Sequence, residues 1–311
     1  MIPFQIKQGL FDNLPRTLEE GTIYYCIDRD FFCIDIKDED GVLSRKILKG
    51  VGEDVSGDYF TINDVETLAL TGAEIFNDYD NNIATGTYSH AEGSYTKAMG
   101  DNSHAEGVYT EAHDIGAHAE GHTTKAIGVC SHAEGYGTDA FGDCSHAEGD
   151  NTTASGDSSH AEGRGTTASG ENSHAEGRGV TASGKYSHAE GYVTKALGEN
   201  SHAEGNDTEA SGYASHAEGD TTIASEVGAH AEGERTQALG DGSHAEGVET
   251  IADSQASHAE GFASVASAIG AHAEGYYSEA AGWGSHAEGS STASGYTSHA
   301  EGQGTIASGD Y

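Results

Sequence analysis

The chain has 311 residues, of which 45 are glycine and only 2 proline, and 35% are hydrophobic. Its formal net charge of −38 excludes binding to nucleic-acid phosphates through a basic surface and is a poor match to anionic membranes. No stretch approaches the roughly 18 apolar residues that a membrane-spanning helix needs, so none is predicted.

Residues 1–56 are expected to form a small N-terminal β module. The segment GTIYYCIDRDFFCID predicts a hairpin that turns at residues 28–30, with apolar strands on both sides. The first ten residues carry one lysine and no apolar run, so no secretory signal is expected. Residues 57–82 are interpreted as a connector, in which DVETLALTGAEIF is expected to be a short helix or turn.

A repeat of fourteen residues fills the chain from residue 83 to residue 311. Each unit reads Ser-His-Ala-Glu-Gly, two variable residues, Thr-x-Ala-x-Gly and two variable residues. The motif His-Ala-Glu-Gly occurs sixteen times at a spacing of fourteen, except for the last spacing of thirteen. A strict period with glycine in phase argues against a disordered low-complexity tract.

The unit is too short for a helical repeat and alternates as strands do. Two short strands and two tight turns account for fourteen residues, with Ser, Ala, Gly, Thr and Ala pointing inward. Glycines such as Gly93 and Gly107 are expected in the turns, where positive φ is needed. The predicted fold is all-β, a parallel β-roll solenoid of about sixteen coils with a thin interior of small side chains.

Histidine and glutamate point outward in this arrangement, yet neither changes while neighbouring outward positions vary. A repeated contact with other copies of the chain explains this, and three solenoids around a three-fold axis would place His against Glu in every layer. The predicted trimer interface comprises His90, His104, His118, His132, His146, His160, His174, His188, His202, His216, His230, His244, His258, His272, His286 and His299 with Glu92, Glu106, Glu120, Glu134, Glu148, Glu162, Glu176, Glu190, Glu204, Glu218, Glu232, Glu246, Glu260, Glu274, Glu288 and Glu301.

The unit resembles the head repeat of the trimeric autotransporter adhesins of the YadA type. That family repeats Asn-Ser-Val-Ala-Ile-Gly and Ser-x-Ala-x-Gly halves, which correspond here to Asn102–Gly107 and to Thr110 with Ala112. The resemblance covers residues 83–311 and implies a left-handed parallel β-roll that forms a homotrimer. His and Glu stand at the two apolar positions of the family, so a polar trimer interface is expected.

The N-terminal segment resembles the short β module that begins many phage tail-fibre and appendage proteins. The resemblance implies a structural fibre of a bacteriophage or phage-tail-like particle, assembled in the bacterial cytoplasm, whose N-terminus docks on a baseplate or a preceding fibre protein. The expected role is attachment to a host cell-surface glycan or protein. Two alternatives stay open: a structural spacer whose recognition lies in another chain or a lost C-terminal domain, and a bacterial surface adhesin head.

The repeated His-x-Glu pairs also suit divalent metals. No cofactor is predicted, and His rings around a three-fold axis are the alternative that would hold a metal. An enzyme is not expected, because sixteen equal copies do not make a single catalytic constellation.

Tyr276, Tyr277 and Trp283 are predicted to form a receptor-binding cluster near the C-terminus. Mild acid that charges only histidine is expected to do the interface little harm.

Two cysteine pairs are candidates for close approach. Cys130 and Cys144 occupy the same position in consecutive units and should stack, while Cys26 and Cys33 flank the predicted hairpin turn. In a particle assembled inside the cell, both pairs are expected to be reduced.

Overall fold

In the computed structural model, side chains are described for residues 82–310, and the backbone for strands at 5–9, 22–26, 31–37, 43–49 and 74–76. The chain divides into two compact units, residues 1–74 and 75–311. The described residues contain no helix that is long and apolar enough to cross a bilayer.

The first unit contains a four-stranded sheet of β1 (Gln5–Gly9), β2 (Thr22–Cys26), β3 (Phe31–Lys37) and β4 (Leu43–Lys49). β1 pairs with β2 in parallel, and β2, β3 and β4 pair antiparallel in sequence order. The hairpin predicted around residues 28–30 is confirmed, since β2 and β3 pair across that segment. The register opposes Cys26 to Phe31 and Cys33 to Tyr24, so the two cysteines are not directly opposite.

The predicted connector lies outside the described residues except at its end. There β5 (Glu74–Phe76) is a strand that pairs with the first long strand of the solenoid, where a helix or turn was expected.

The second unit is a parallel β-solenoid of about sixteen coils, so the predicted all-β fold is confirmed. Each coil contributes one long strand that begins at the repeated histidine. The long strands are His90–Ser94, His104–Val108, His118–His122, His132–Tyr136, His146–Asp150, His160–Arg164, His174–Arg178, His188–Tyr192, His202–Asn206, His216–Asp220, His230–Glu234, His244–Val248, His258–Phe262, His272–Tyr276, His286–Ala293 and His299–Ala307.

A second, shorter strand of two residues ends at the alanine of the Thr-x-Ala half. These short strands are Ile83–Ala84, Lys97–Ala98, Glu111–Ala112, Lys125–Ala126, Asp139–Ala140, Thr153–Ala154, Thr167–Ala168, Thr181–Ala182, Lys195–Ala196, Glu209–Ala210, Ile223–Ala224, Gln237–Ala238, Ile251–Ala252, Val265–Ala266 and Glu279–Ala280. In the last two coils the short strand is continuous with the long one. The shift of register between Ser290 and Thr292 absorbs the shortened spacing.

Every strand pairs with its equivalent one coil later, so identical positions lie in register along the solenoid. Backbone hydrogen bonds join the coils: the amide of His160 donates to the carbonyl of Ser173 at 2.9 Å, and that of Thr167 donates to the carbonyl of Val180 at 2.8 Å. These hydrogen bonds satisfy the backbone N–H and C=O groups of each coil. They also hold together a solenoid that is too thin to have a large apolar core.

The interior consists of small side chains, as the alternation predicted. Ala161 and Ala168 are fully buried, and Ser159 and Thr166 are buried beside them. The hydroxyl of Ser159 donates to the carbonyl of Gly156 at 2.6 Å, which satisfies it inside the turn. Because the interior side chains are small, the two sheets approach each other closely. The long strands then present their other face, which carries His and Glu, to the outside.

The expectation that Gly93 and Gly107 lie in turns is wrong. Both are in long strands, at φ of 118°, and a Cβ on Gly107 would overlap the carbonyl oxygen of Gly121 in the next coil. The left-handed turn residues are instead the variable ones, such as Tyr95 (φ 57°) and Asn102 (φ 57°).

Candidate functional site

The repeated histidines form a continuous ladder on the outward face of the long strands, which is called the His/Glu face here. The rings of consecutive coils stack, with centroids 4.7 Å apart and planes at 5° for His132 and His146. The stacking continues to the pair His272 and His286, at 4.7 Å and 7°. At both ends the rings tilt, by 58° between His90 and His104. All the predicted interface residues therefore lie on one face of the chain.

The Nε2 atoms of this ladder have an unusual environment. From His104 to His286, each ladder Nε2 is inaccessible to solvent and, within the described part of the chain, has no hydrogen-bond partner. The imidazole side chains as wholes are about 35–39% exposed along most of the ladder. A buried polar nitrogen without a partner costs free energy, so a row of such atoms requires an explanation.

The glutamates form a second, parallel row two residues after the histidines. Within one strand the Nε2 of His216 lies 3.6 Å from a carboxylate oxygen of Glu218, and the corresponding distance from His118 to Glu120 is 4.0 Å. These separations are too long for hydrogen bonds. The Glu218 side chain is 48% exposed, so the outermost layer of this face is a row of half-exposed carboxylates at the spacing of the coils.

The ladder environment lowers the pKa of nine histidines. For His230 the largest cause is burial, followed by the neighbouring charges of His216 and His244, while Glu232 and Glu218 partly oppose the shift. In the single chain, burial and the stacked neighbours outweigh the carboxylates, while the effect of mild acid on a trimer interface stays a prediction. The pKa is also lowered, with burial as the first cause, at His104, His118, His132, His160, His174, His202, His258 and His286.

The three aromatic residues predicted as one cluster lie at two different turns of the coil. Tyr276 is the last residue of the long strand His272–Tyr276, Tyr277 follows it, and the two rings contact edge to face at 4.6 Å. Trp283 lies in the turn after the short strand and stacks on Tyr296 at 4.8 Å. All three remain about half exposed or more. Their role in receptor binding stays a prediction, but the single cluster is replaced by two separate groups, the first of which also contains Phe262.

A second aromatic patch near the start of the solenoid was not predicted. Tyr95 stacks on Tyr109 at 4.9 Å, and His122 stacks on Tyr136 at 5.1 Å. The patch follows the turn after the long strand, the same turn that carries Tyr276 and Tyr277. The sequence signal was present, because aromatic residues spaced by fourteen must stack once the period is interpreted as a coil.

The exposed cysteines of the solenoid lie at equivalent positions of consecutive coils, as their spacing predicted. Cys130 and Cys144 occupy the left-handed position of consecutive turns, at φ of 55° and 56°, and both are free thiols.

The profile of the YadA head domain repeat matches residues 147–170, 161–187 and 289–311. No curated protein matches the chain significantly. The matched segments contain the same two half-motifs as the remaining coils. From residue 83 onward the coils pair in register, so the parallel solenoid repeats this pattern throughout. The solenoid of this chain is therefore built of YadA-like head repeats.

Proposed function

We propose that this chain is a structural attachment protein whose solenoid assembles as a homotrimer through the His/Glu face. The observation that carries the proposal is the row of inaccessible Nε2 atoms that have no hydrogen-bond partner among the described residues. An adjacent chain that supplies an acceptor removes the cost of the unpaired group, provided that each imidazole rotates to turn its Nε2 toward that chain.

A second copy of the same solenoid is the partner whose chemistry fits. The acceptors must recur in every coil, at about 4.8 Å, to match the ladder. Another solenoid offers carboxylates at that repeat, because its glutamates stack in register. Pairing carboxylates with imidazole N–H groups of a neighbouring chain also relieves the repulsion within each glutamate row. Heads built of YadA-type repeats form homotrimers and bind host surfaces, which supports three copies and an adhesive role.

The setting we propose is the fibre of a bacteriophage or phage-tail-like particle, assembled in the bacterial cytoplasm. In this setting the small N-terminal sheet would dock on a baseplate or preceding fibre protein. The head of a bacterial surface adhesin fits the repeat equally well, and a spacer without its own receptor site is the third candidate. A repeated lattice of equal residues supports a structural protein, not an enzyme.

Sedimentation at neutral pH tests the trimer. The expected mass is three times that of the chain, with or without a chelator. A monomer would overturn the proposed interface.

Attachment is tested separately on the intact trimer. We expect Tyr276→Ala with Tyr277→Ala, or Trp283→Ala, to reduce binding to host cells without changing the mass, while Tyr109→Ala serves as a matched aromatic control. A wild-type trimer that binds no cells would support the spacer.

A further inference from the structure

The His/Glu face brings together sets of three potential metal ligands, each from one chain. His132, Glu134 and His146 place one donor atom each within 4.8 Å of one another, and His146, Glu148 and His160 do the same. We propose that this face binds divalent transition-metal ions between neighbouring coils, through two imidazole nitrogens and one carboxylate oxygen of a single chain. The inference does not rest on the trimer, since no donor comes from a partner.

The spacing between coils allows histidines of two consecutive coils to bind one metal ion together. Two histidines one turn apart on a helix, with Cβ atoms about 5–6 Å apart, bind zinc together. The stacked rings of His132 and His146 have centroids 4.7 Å apart. Zinc holds nitrogen at about 2.0–2.1 Å, so two tetrahedral ligands lie about 3.4 Å apart and the rings must tilt toward each other to close the site. The side chains of His132 and His146 are each 35% exposed, and the rotation must bring their nitrogens to this exposed edge.

In the single chain these donors have no hydrogen bond that a metal must break, whereas in the proposed trimer a metal competes with the carboxylates of the partner. The Nε2 atoms of His132, His146 and His160 form no hydrogen bond with any residue that the structure describes. Imidazole with a carboxylate suits zinc, nickel or copper better than calcium or magnesium, which prefer oxygen ligands alone. Water completes the coordination, and the net charge of −38 concentrates cations at the surface.

The sharing of His146 limits the number of ions. Two of the sets contain it, so they hold one ion at a time, and a separate set is formed by His272, Glu274 and His286. The expected capacity is therefore two ions per chain at these His–Glu–His sets. A fourth group, Glu288 with His299 and Glu301, is fully exposed and has one imidazole, so it should bind more weakly.

Equilibrium dialysis of the full-length protein against Zn²⁺, with metal content measured per chain, tests the proposal. His146→Gln removes a ligand from both overlapping sets and is expected to lose one of the two bound ions. His122→Gln is the control, because it removes an imidazole outside the ladder, stacked on Tyr136, and should retain both ions. Zn²⁺ content that is equal in wild type and His146→Gln, or reduced equally by both variants, would overturn the proposal.

A second pair of variants keeps the histidine stack intact. Glu134→Gln with Glu148→Gln removes only carboxylates and should also lose one ion, whereas Glu209→Gln with Glu249→Gln, which changes two glutamates outside the His/Glu face, should lose none. Co²⁺ added in place of Zn²⁺ should give the intense visible absorption bands of a tetrahedral site in wild type, and their absence would contradict a tetrahedral site. Sedimentation of the same samples separates the two proposals, since a trimer that binds no metal supports the interface and refutes only the metal site.

Discussion

At the scale of single residues, the row of buried threonine hydroxyls inside the solenoid lowers the stability of the folded state. The hydroxyl of Thr166 is buried and has no hydrogen-bond partner in the described chain, and the same is true of Thr152. Val180 occupies the equivalent position of the next coil after Thr166 and is fully buried. The chain thus shows that a side chain of the same shape without the hydroxyl fits this site.

We expect Thr166→Val to raise the free energy of unfolding by about 1 kcal/mol, because it removes an unpaired buried hydroxyl without changing volume. The midpoint of urea unfolding measures the change. Val180→Thr is the reverse control and should lower the midpoint. A lower midpoint for Thr166→Val would show that the hydroxyl finds a partner in the protein.

At the scale of the strand, the glycine after each glutamate is fixed by the next coil. Gly177 has φ of 121°, and a Cβ there would overlap the carbonyl oxygen of Gly191. Gly165 in the turn also has positive φ, at 63°, but a Cβ there would meet no atom within 4 Å. At Gly177 both the positive φ and the close approach of the next coil favour glycine. At Gly165 only the positive φ does.

We expect Gly177→Ala to destabilise the solenoid by about 4 kcal/mol or more, because the coils must move apart to admit a methyl group. Gly165→Ala should cost only about 1–2 kcal/mol, the cost of a left-handed alanine. Thermal unfolding followed by circular dichroism compares them. Equal losses would mean that φ alone fixes the strand glycine.

The histidine ladder is also an element-scale feature, since each ring titrates beside its neighbours. A histidine whose pKa is lowered by folding contributes stability above its unfolded pKa, near 6.5. That contribution is lost as pH falls through the folded pKa, because the unfolded chain binds more protons. His202 and His230 both follow this direction.

We therefore expect the Tm, measured with a chelator present, to fall between pH 7 and about pH 5, before most carboxylates protonate. His230→Gln should show a smaller fall, because one ladder histidine no longer takes up a proton. A Tm that rises over this interval would indicate that carboxylates, including those of a partner chain, dominate the ladder.

At the scale of the whole solenoid, each coil contacts only its two neighbours, so coils are interchangeable units. Deletion of residues 160–173 removes one complete period and rejoins identical positions. Deletion of residues 160–166 removes a long strand and its turn while keeping the short strand, which leaves an incomplete coil between two complete ones.

The fourteen-residue deletion should leave the Tm within a few degrees of wild type, since only one repeat and one interface are lost. The seven-residue deletion should lower the Tm strongly or give separate transitions for the two halves. Calorimetry distinguishes these outcomes. Comparable behaviour of the two deletions would contradict the modular coil.

The sequence by itself determined the period, the alternation and therefore the interior. Covalent spacing sets which side chains share a face of a strand, so alternation alone assigns Ala161, Ala168 and Thr166 to the interior, where they are buried. The same spacing placed His160 and Glu162 together on the outward face, because residues two apart in a strand point the same way.

Only the tertiary structure decided what surrounds each of these atoms. Closure of the coil put Gly177 against Gly191 in a strand and divided Trp283 from Tyr276 between two turns. It also left the ladder Nε2 atoms inaccessible, and the burial and stacking that it produced lower the pKa of His230. The physical reason is that local alternation depends on backbone geometry alone, whereas burial and contacts between coils depend on how tightly successive coils close and stack.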